Sequence, residues 1–157
     1  MKVSYNWLKN YIDFDLSVTE LAKVLTDTGL EVEGVKRIDK IPGGLEGLVI
    51  GKVTQCVKHE DADRLKVTQV DIGTEVLQIV CGADNVNSGQ KVVVATVGSM
   101  LYPEPDKPFQ IKKAKIRGKS SYGMICAEDE VGLGDSHDGI MVLDENAEIG
   151  TKAAAYF

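Results

Sequence analysis

From Leu48 onward the chain offers no stretch that a long helix could use. Its apolar residues come in short runs, and each run is closed by glycine, asparagine, aspartate or proline. Such punctuated runs predict strands and tight connections. Val49, Val53 and Val57 alternate with Lys52, Thr54 and Lys58, the pattern of a half-buried strand. After the polar loop 59–63, Leu65 to Ile72 is a second strand, closed by Gly73, and Val76 to Val80 is a third. The 81–89 loop is long enough for one helical turn. Lys91 to Val97 is a fourth strand, apolar at nearly every position, which predicts burial on both faces.

The segment Ile111–Arg117 is a fifth strand with imperfect alternation, because Ile111 and Ile116 have opposite parity. That predicts a bulge or strong bend near Lys113–Lys115. Before it, the loop 101–108 carries three prolines, which deny ladder donors to any central strand. Ile140–Leu143 is one more short strand. Five short strands with a longer interruption predict a small closed barrel of the OB type.

Residues 1–40 read differently. Trp7, Leu8, Tyr11 and Ile12 form a helical stripe. Ser17-Val-Thr-Glu20 is a capping box, in which hydroxyl and carboxylate satisfy free amides at a helix start. Leu21, Ala22, Val24 and Leu25 give that helix an apolar face, and Gly29 stands where a C′ glycine would end it. Trp7 and the leucines are expected to be packing residues. Leu30 to Val35 alternates like a strand. Ile41–Leu45 (IPGGL) is a turn-rich boundary. The expected architecture is therefore mainly β with an α+β appendage: a small N-terminal helical module over 1–40, a five-stranded OB-fold barrel over 41–150, and a return of 151–157 into the N-terminal module. The apolar end Tyr156-Phe157 predicts a chain that belongs to a longer one.

Charge narrows the function. The net charge is −6, but it is unevenly spread: residues 48–127 hold 11 basic and 8 acidic side chains, while residues 128–157 hold 1 and 8. The basic excess centres on Ile111–Cys126, IKKAKIRGKSSYGMIC. It has Lys112, Lys113, Lys115, Arg117 and Lys119 and no acid. Such a ribbon fits a polyanionic partner; it also fits a solvated edge strand whose lysines oppose aggregation. Acidic 128–148 reads as solvated surface.

Cys56, Cys81 and Cys126 form no CxxC pair, so buried thiols are expected rather than a disulfide framework. The paired ligand spacing of a zinc site is missing, so no metal is expected. There is no GxxxxGK[ST], GxGxxG, GxSxG or HExxH, and nothing points to a catalytic residue. No apolar run approaches the roughly 20 residues of a membrane span. The N-terminus lacks an apolar signal core, which predicts a cytoplasmic protein.

Several stretches together carry a resemblance. His59–Val67 (HEDADRLKV) is similar to an HPNADRLKV-like loop and strand, and Ile79–Val86 (IVCGADNV) to VCGAxNV. Ile111–Gly118 (IKKAKIRG) resembles IKxAKIRG, Ser121–Cys126 (SYGMIC) resembles SxGMICS, and Glu130–Gly134 (EVGLG) resembles ELGLG. These motifs belong to the tRNA-binding OB domain of aminoacyl-tRNA synthetases and related proteins. The opening VSYNWLKNY, with Thr28–Glu33 (TGLEVE), resembles the start of bacterial phenylalanyl-tRNA synthetase beta subunits. Glu60 departs from the family's usual proline, Ala127 from its serine, and the 102–108 insertion from a short turn.

The resemblance implies a tRNA-binding module that contributes to charging tRNA with phenylalanine and has no ligase activity alone. It implies an alpha subunit as partner in an α2β2 enzyme, with ATP and magnesium used by the parent enzyme and no cofactor in this part. The expected tRNA contacts are Lys112, Lys113, Lys115, Arg117 and Lys119 from the ribbon, with Arg64 and Lys66 from the second strand. Asn85 and Ser121 join them by family resemblance. Arg64 pairing with Asp61 or Asp63, and Asn85 capping a turn, are the competing structural roles. The alternative function is an architectural domain that docks within the synthetase, with weak RNA contact; the acidic C-terminal segment favours it.

Overall fold

The computed structural model describes residues 1–38, 41–103 and 107–157. The chain divides into two compact units, Met1–Ile38 and Asp39–Phe157.

In the first unit, α1 (Tyr5–Leu8) is a single turn, with the Ser4 hydroxyl accepting the Trp7 amide. Helix α2 (Val18–Asp27) starts at the expected capping box: Glu20 N donates to Ser17 Oγ, and Ser17 N donates to Glu20 Oε2. The Ser17 hydroxyl also donates to Glu20 Oε2 at 2.7 Å, and this bond, with that from Ser17 N, holds the Glu20 carboxyl below its usual range. Gly29 ends the helix at φ 96°, a conformation cheap only for glycine. Two expectations fail here. Residues 30–35 form no strand, because no neighbouring strand supplies a ladder; Val32 N donates instead to the Thr26 hydroxyl. Trp7, Val24 and Leu30 remain exposed, and neither helix buries a residue. A unit of 38 residues encloses too little volume to cover its own stripe.

The second unit is an antiparallel barrel. Strand β1 (Leu48–His59) is long enough to serve two neighbours. Its first half pairs with β4 (Lys91–Thr96) and its second half with β2 (Ala62–Asp71), which in turn pairs with β3 (Val76–Cys81). The turn at the β1–β2 hairpin is tighter than the expected loop, with His59 opposite Ala62. Gly51 lies where β1 passes between both partners. A Cβ there would stand 2.8 Å from Val70 Cγ1 and 2.9 Å from Val94 Cγ2. The close approach of β2 and β4 side chains there therefore favours glycine. Three residues further on, a bulge at Thr54 shifts the register. Side-chain parity flips with it, so Val57 faces solvent and Cys56 packs against the core.

Strand β4 is buried on both faces, as its composition predicts. Val92 and Val94 join Val53, Val70 and Ile79 inside the barrel. Val93 and Ala95 join a second cluster with Leu48, Leu101 and Ile111 outside it. Each such valine stabilises the fold by roughly 1.5 kcal/mol or more relative to an exposed one.

The rest of the chain departs from expectation. Strands β5 (Met100–Leu101) and β6 (Phe109–Gln110) pair at the base of the proline loop, where residues 104–106, including Pro105, lie outside the described residues. The ribbon is not the fifth barrel strand. Its middle, β7 (Ala114–Ile116), pairs only with β8 (Lys119–Ser121) as a separate hairpin. The barrel is completed by β9 (Gly123–Ile125), which pairs with β4, followed along the same β4 edge by β10 (Val142–Leu143). The remaining seam runs between β3 and residues 120–122. There Tyr122 N donates to Gln78 O at 2.9 Å, Gln78 Nε2 to Ser120 O at 2.7 Å, and Val80 N to Ser121 Oγ at 3.1 Å. The result is a nearly closed five-stranded barrel of the OB type.

The 81–89 loop makes turns and no helix. The acidic stretch is not all loop: α3 (Glu128–Val131) is one helical turn, with Glu130 Oε2 accepting Ala127 N and Gly132 ending it at φ 71°. The final helix α4 (Ala153–Tyr156) follows a bridge between Val49 and Lys152, so residues 151–153 are held by β1 of the barrel.

Candidate nucleic-acid interface

The β7–β8 hairpin owes its shape to two residues. Ile116 faces Lys119 across a two-residue turn, Arg117-Gly118, with φ of 47° and 86°. Positive φ at both central positions is the type I′ turn, whose twist matches antiparallel strands. Gly118 adopts it freely; Arg117 does so at a cost of roughly 1–2 kcal/mol. That places a guanidinium at the apex.

Lys112 and Lys113 lead into the hairpin, and Lys115 stands opposite Ser120. Lys112, Lys113, Lys115 and Arg117 are exposed. Among the described residues, Lys112, Lys115 and Arg117 have no acidic partner within ion-pair distance. Lys113 differs, because its Nζ lies 4.7 Å from the centre of the Tyr122 ring. Lys119 is half-buried and pairs with Glu60 Oε2 at 3.2 Å. That contact brings the β1–β2 turn against the hairpin.

The remaining candidates divide. Arg64 is exposed on β2 and does not pair with Asp63, whose carboxylate is taken by Lys58 at 2.8 Å. The hydrogen bond and charge of Lys58 hold the Asp63 carboxyl below its usual range. Lys66 instead turns onto the protein and donates to Asp84 O at 2.9 Å and Val86 O at 2.8 Å. Asn85 uses its whole amide on one residue: its Nδ2 donates to Ile140 O and its Oδ1 accepts Ile140 N, both at 2.9 Å. Ser121 is 3% exposed, and its hydroxyl sits in the barrel seam between Val80 N and Gly123 O. The outward set is thus Lys112, Lys113, Lys115, Arg117 and Arg64, with Lys119 behind an ion pair.

One participant escaped sequence reasoning. Glu60 was visible as a departure from the family, but its partner lies 59 residues away. Tyr122 is legible in the sequence, with Tyr102, as an aromatic on which a base could stack, although so few aromatics predict only weak stacking; its capping by Lys113 depends on the hairpin.

Burial pushes the Cys126 thiol up to about 12, with the nearby Glu130 charge adding to it, and burial likewise raises Cys81. These are inert core thiols. Among the described residues, no three His, Cys, Asp or Glu side chains gather as a metal site. No helix among them is long and apolar enough to cross a membrane.

Comparison with known proteins agrees with this geometry. The family described as "Putative tRNA binding domain" matches residues 48–152, from the first residue of β1 to the Lys152 bridge. Phenylalanine–tRNA ligase beta subunits match along the whole chain. That of Bacteroides fragilis is 58% identical over 100% of this chain, and that of Salinibacter ruber is 50% identical over 99%. The chain spans 19% of the length of each of these relatives. A MetRS-related protein from Pyrococcus horikoshii shares the fold, with a TM-score of 0.51 over 76% of this chain and 99% of that one, at 20% identity. With five ordered motifs, a nearly closed barrel and a family match over residues 48–152, the chain belongs to the tRNA-binding domain family.

Proposed function

We propose that this chain is the tRNA-binding module of a phenylalanine–tRNA ligase beta subunit and contributes to tRNA binding while tRNA is charged with phenylalanine. The observation that carries this reading is the acid-free β7–β8 hairpin, in which Lys112, Lys115 and Arg117 stand exposed with no acidic partner among the described residues. Unpaired cations on a rigid turn meet phosphates without first breaking protein ion pairs. Contacts of this kind follow backbone shape and charge rather than base sequence.

Support for the parent comes from the beta-subunit relatives that match the full chain. On this reading the chain works in the cytoplasm. It carries no ligase activity alone, and ATP, magnesium and the alpha subunit belong to the parent's chemistry and assembly.

Binding of the 157-residue chain to phenylalanine tRNA should weaken with salt. The slope of log K against log salt should be about −2 to −3 if three cations engage phosphates and about −3.5 to −4.5 if all five do. Replacing Lys112, Lys115 and Arg117 together by Glu should weaken binding about tenfold or more at low salt while circular dichroism stays unchanged. A flat salt dependence, or unchanged retention by the triple variant, would instead favour an architectural role within the synthetase. The 8 acidic residues of segment 128–157 suit that second reading.

A further inference from the structure

Tyr122 is an unusual residue to leave on the surface of this barrel. It keeps 37% of its area exposed, although it lies between the buried Ser121 and the start of β9. Its backbone is fixed, because its amide donates to Gln78 O across the seam. Its ring carries the Lys113 ammonium 4.7 Å from the centroid. Phe109, Tyr156 and Phe157 are also exposed in this unit, but among the described residues none of their rings is capped by a cation.

An anchored aromatic beside an ammonium matches the two ends of one nucleotide. The base is flat and apolar on its faces, the phosphate is anionic, and one ribose joins them. Stacking on an aromatic accepts any base, because every base has a π-face. A lysine on a flexible stem can turn from the ring to a phosphate at little cost. Duplex RNA hides its base faces in the helix and offers only phosphate and ribose to the same surface.

We propose that Tyr122 is a stacking platform for one unpaired nucleobase, with Lys113 holding the adjoining phosphate, so that the hairpin prefers single-stranded RNA bearing bases to a bare sugar–phosphate chain. The inference rests on the RNA-binding reading of the hairpin and adds a residue and a ligand class to it.

The test uses the 157-residue chain and two labelled 12-nucleotide RNA probes, oligoadenylate and its abasic counterpart, which have equal phosphate charge. The unsubstituted chain should bind oligoadenylate more tightly than the abasic chain. Tyr122→Ala should weaken oligoadenylate binding by about 5- to 150-fold and leave abasic binding and the salt slope unchanged. Tyr122→Phe should keep the preference. Tyr122→Leu, which retains apolar bulk without a π-face, should lose it. If Tyr122→Ala and Tyr122→Leu both keep the preference, the platform is overturned and the cationic hairpin stands. If the unsubstituted chain binds the two probes equally well, the platform is also overturned. If it binds neither probe at low salt, the hairpin reading falls and the platform falls with it.

Discussion

At the level of single residues, Ser121 and Lys112 divide the labour between holding the barrel and meeting a partner. The Ser121 hydroxyl accepts the Val80 amide inside the seam, and both residues are buried. Ser121→Ala would leave that buried N–H without its acceptor, at a cost of about 1–3 kcal/mol. Urea unfolding should register the loss, while the folded variant binds RNA as before. Lys112→Ala should do the reverse, with unfolding unchanged and the salt slope shallower by about 0.7–0.9. Asn85 follows Ser121 in this respect, since its amide is fully engaged by Ile140. Motif resemblance could nominate both residues but could not assign their roles, because each partner lies 41 or more residues away in sequence.

Among the elements, the β1–β2 turn sets the strength of the β7–β8 hairpin. Glu60 holds Lys119 at 3.2 Å, a carboxylate standing where a phosphate could. The pair is largely solvated and contributes at most about 1 kcal/mol to stability. Glu60→Gln should therefore leave unfolding unchanged but release one cation. RNA titrations across a salt series should then show a slope steeper by about 0.7–0.9; an unchanged slope would mean that Lys119 does not reach RNA.

The same scale shows what sequence could and could not reveal. The strands β1 to β4 announce themselves by alternation or by unbroken apolar runs, since each is at least six residues long. The closing strand β9 is three residues, Gly-Met-Ile, too short to show any period. The ribbon before it looked more like a strand than the strand did, because Ile111 and Ile116 framed it. In fact Ile111 is buried in the outer cluster, while the residues after it leave the barrel for the hairpin. The Leu30–Val35 alternation had the opposite fault, a strand-like pattern with no neighbour to pair with.

For the molecule as a whole, every fully buried apolar residue among those described lies between Leu45 and Ala153. Both buried clusters are built from residues between Ile41 and Ala153. A chain of residues 39–157 should unfold in one cooperative transition, with a midpoint close to that of the 157-residue chain and the same salt slope for tRNA. Calorimetry and titration of the two side by side would check this, and a broad or absent transition would show that the first unit contributes to the core. Charge is arranged at the same scale. Segment 128–157 holds 8 of the 24 acidic residues, while the unpaired cations stand on the acid-free hairpin, so a polyanion is drawn to the hairpin in spite of the net charge of −6.

An ordinary ladder fixes register by repetition, each pair confirming the last. The seam between β3 and residues 120–122 has no such redundancy: two backbone-directed bonds and one hydroxyl set it. Ser121 is thus the zero mark of a ruler. Arg117, Lys115 and Lys113 are graduations counted back from it along a rigid hairpin, and Tyr122 stands one step past it. Whatever these side chains grasp, their distances from the barrel wall are set by these three bonds together, so the loss of one lowers stability without moving the hairpin.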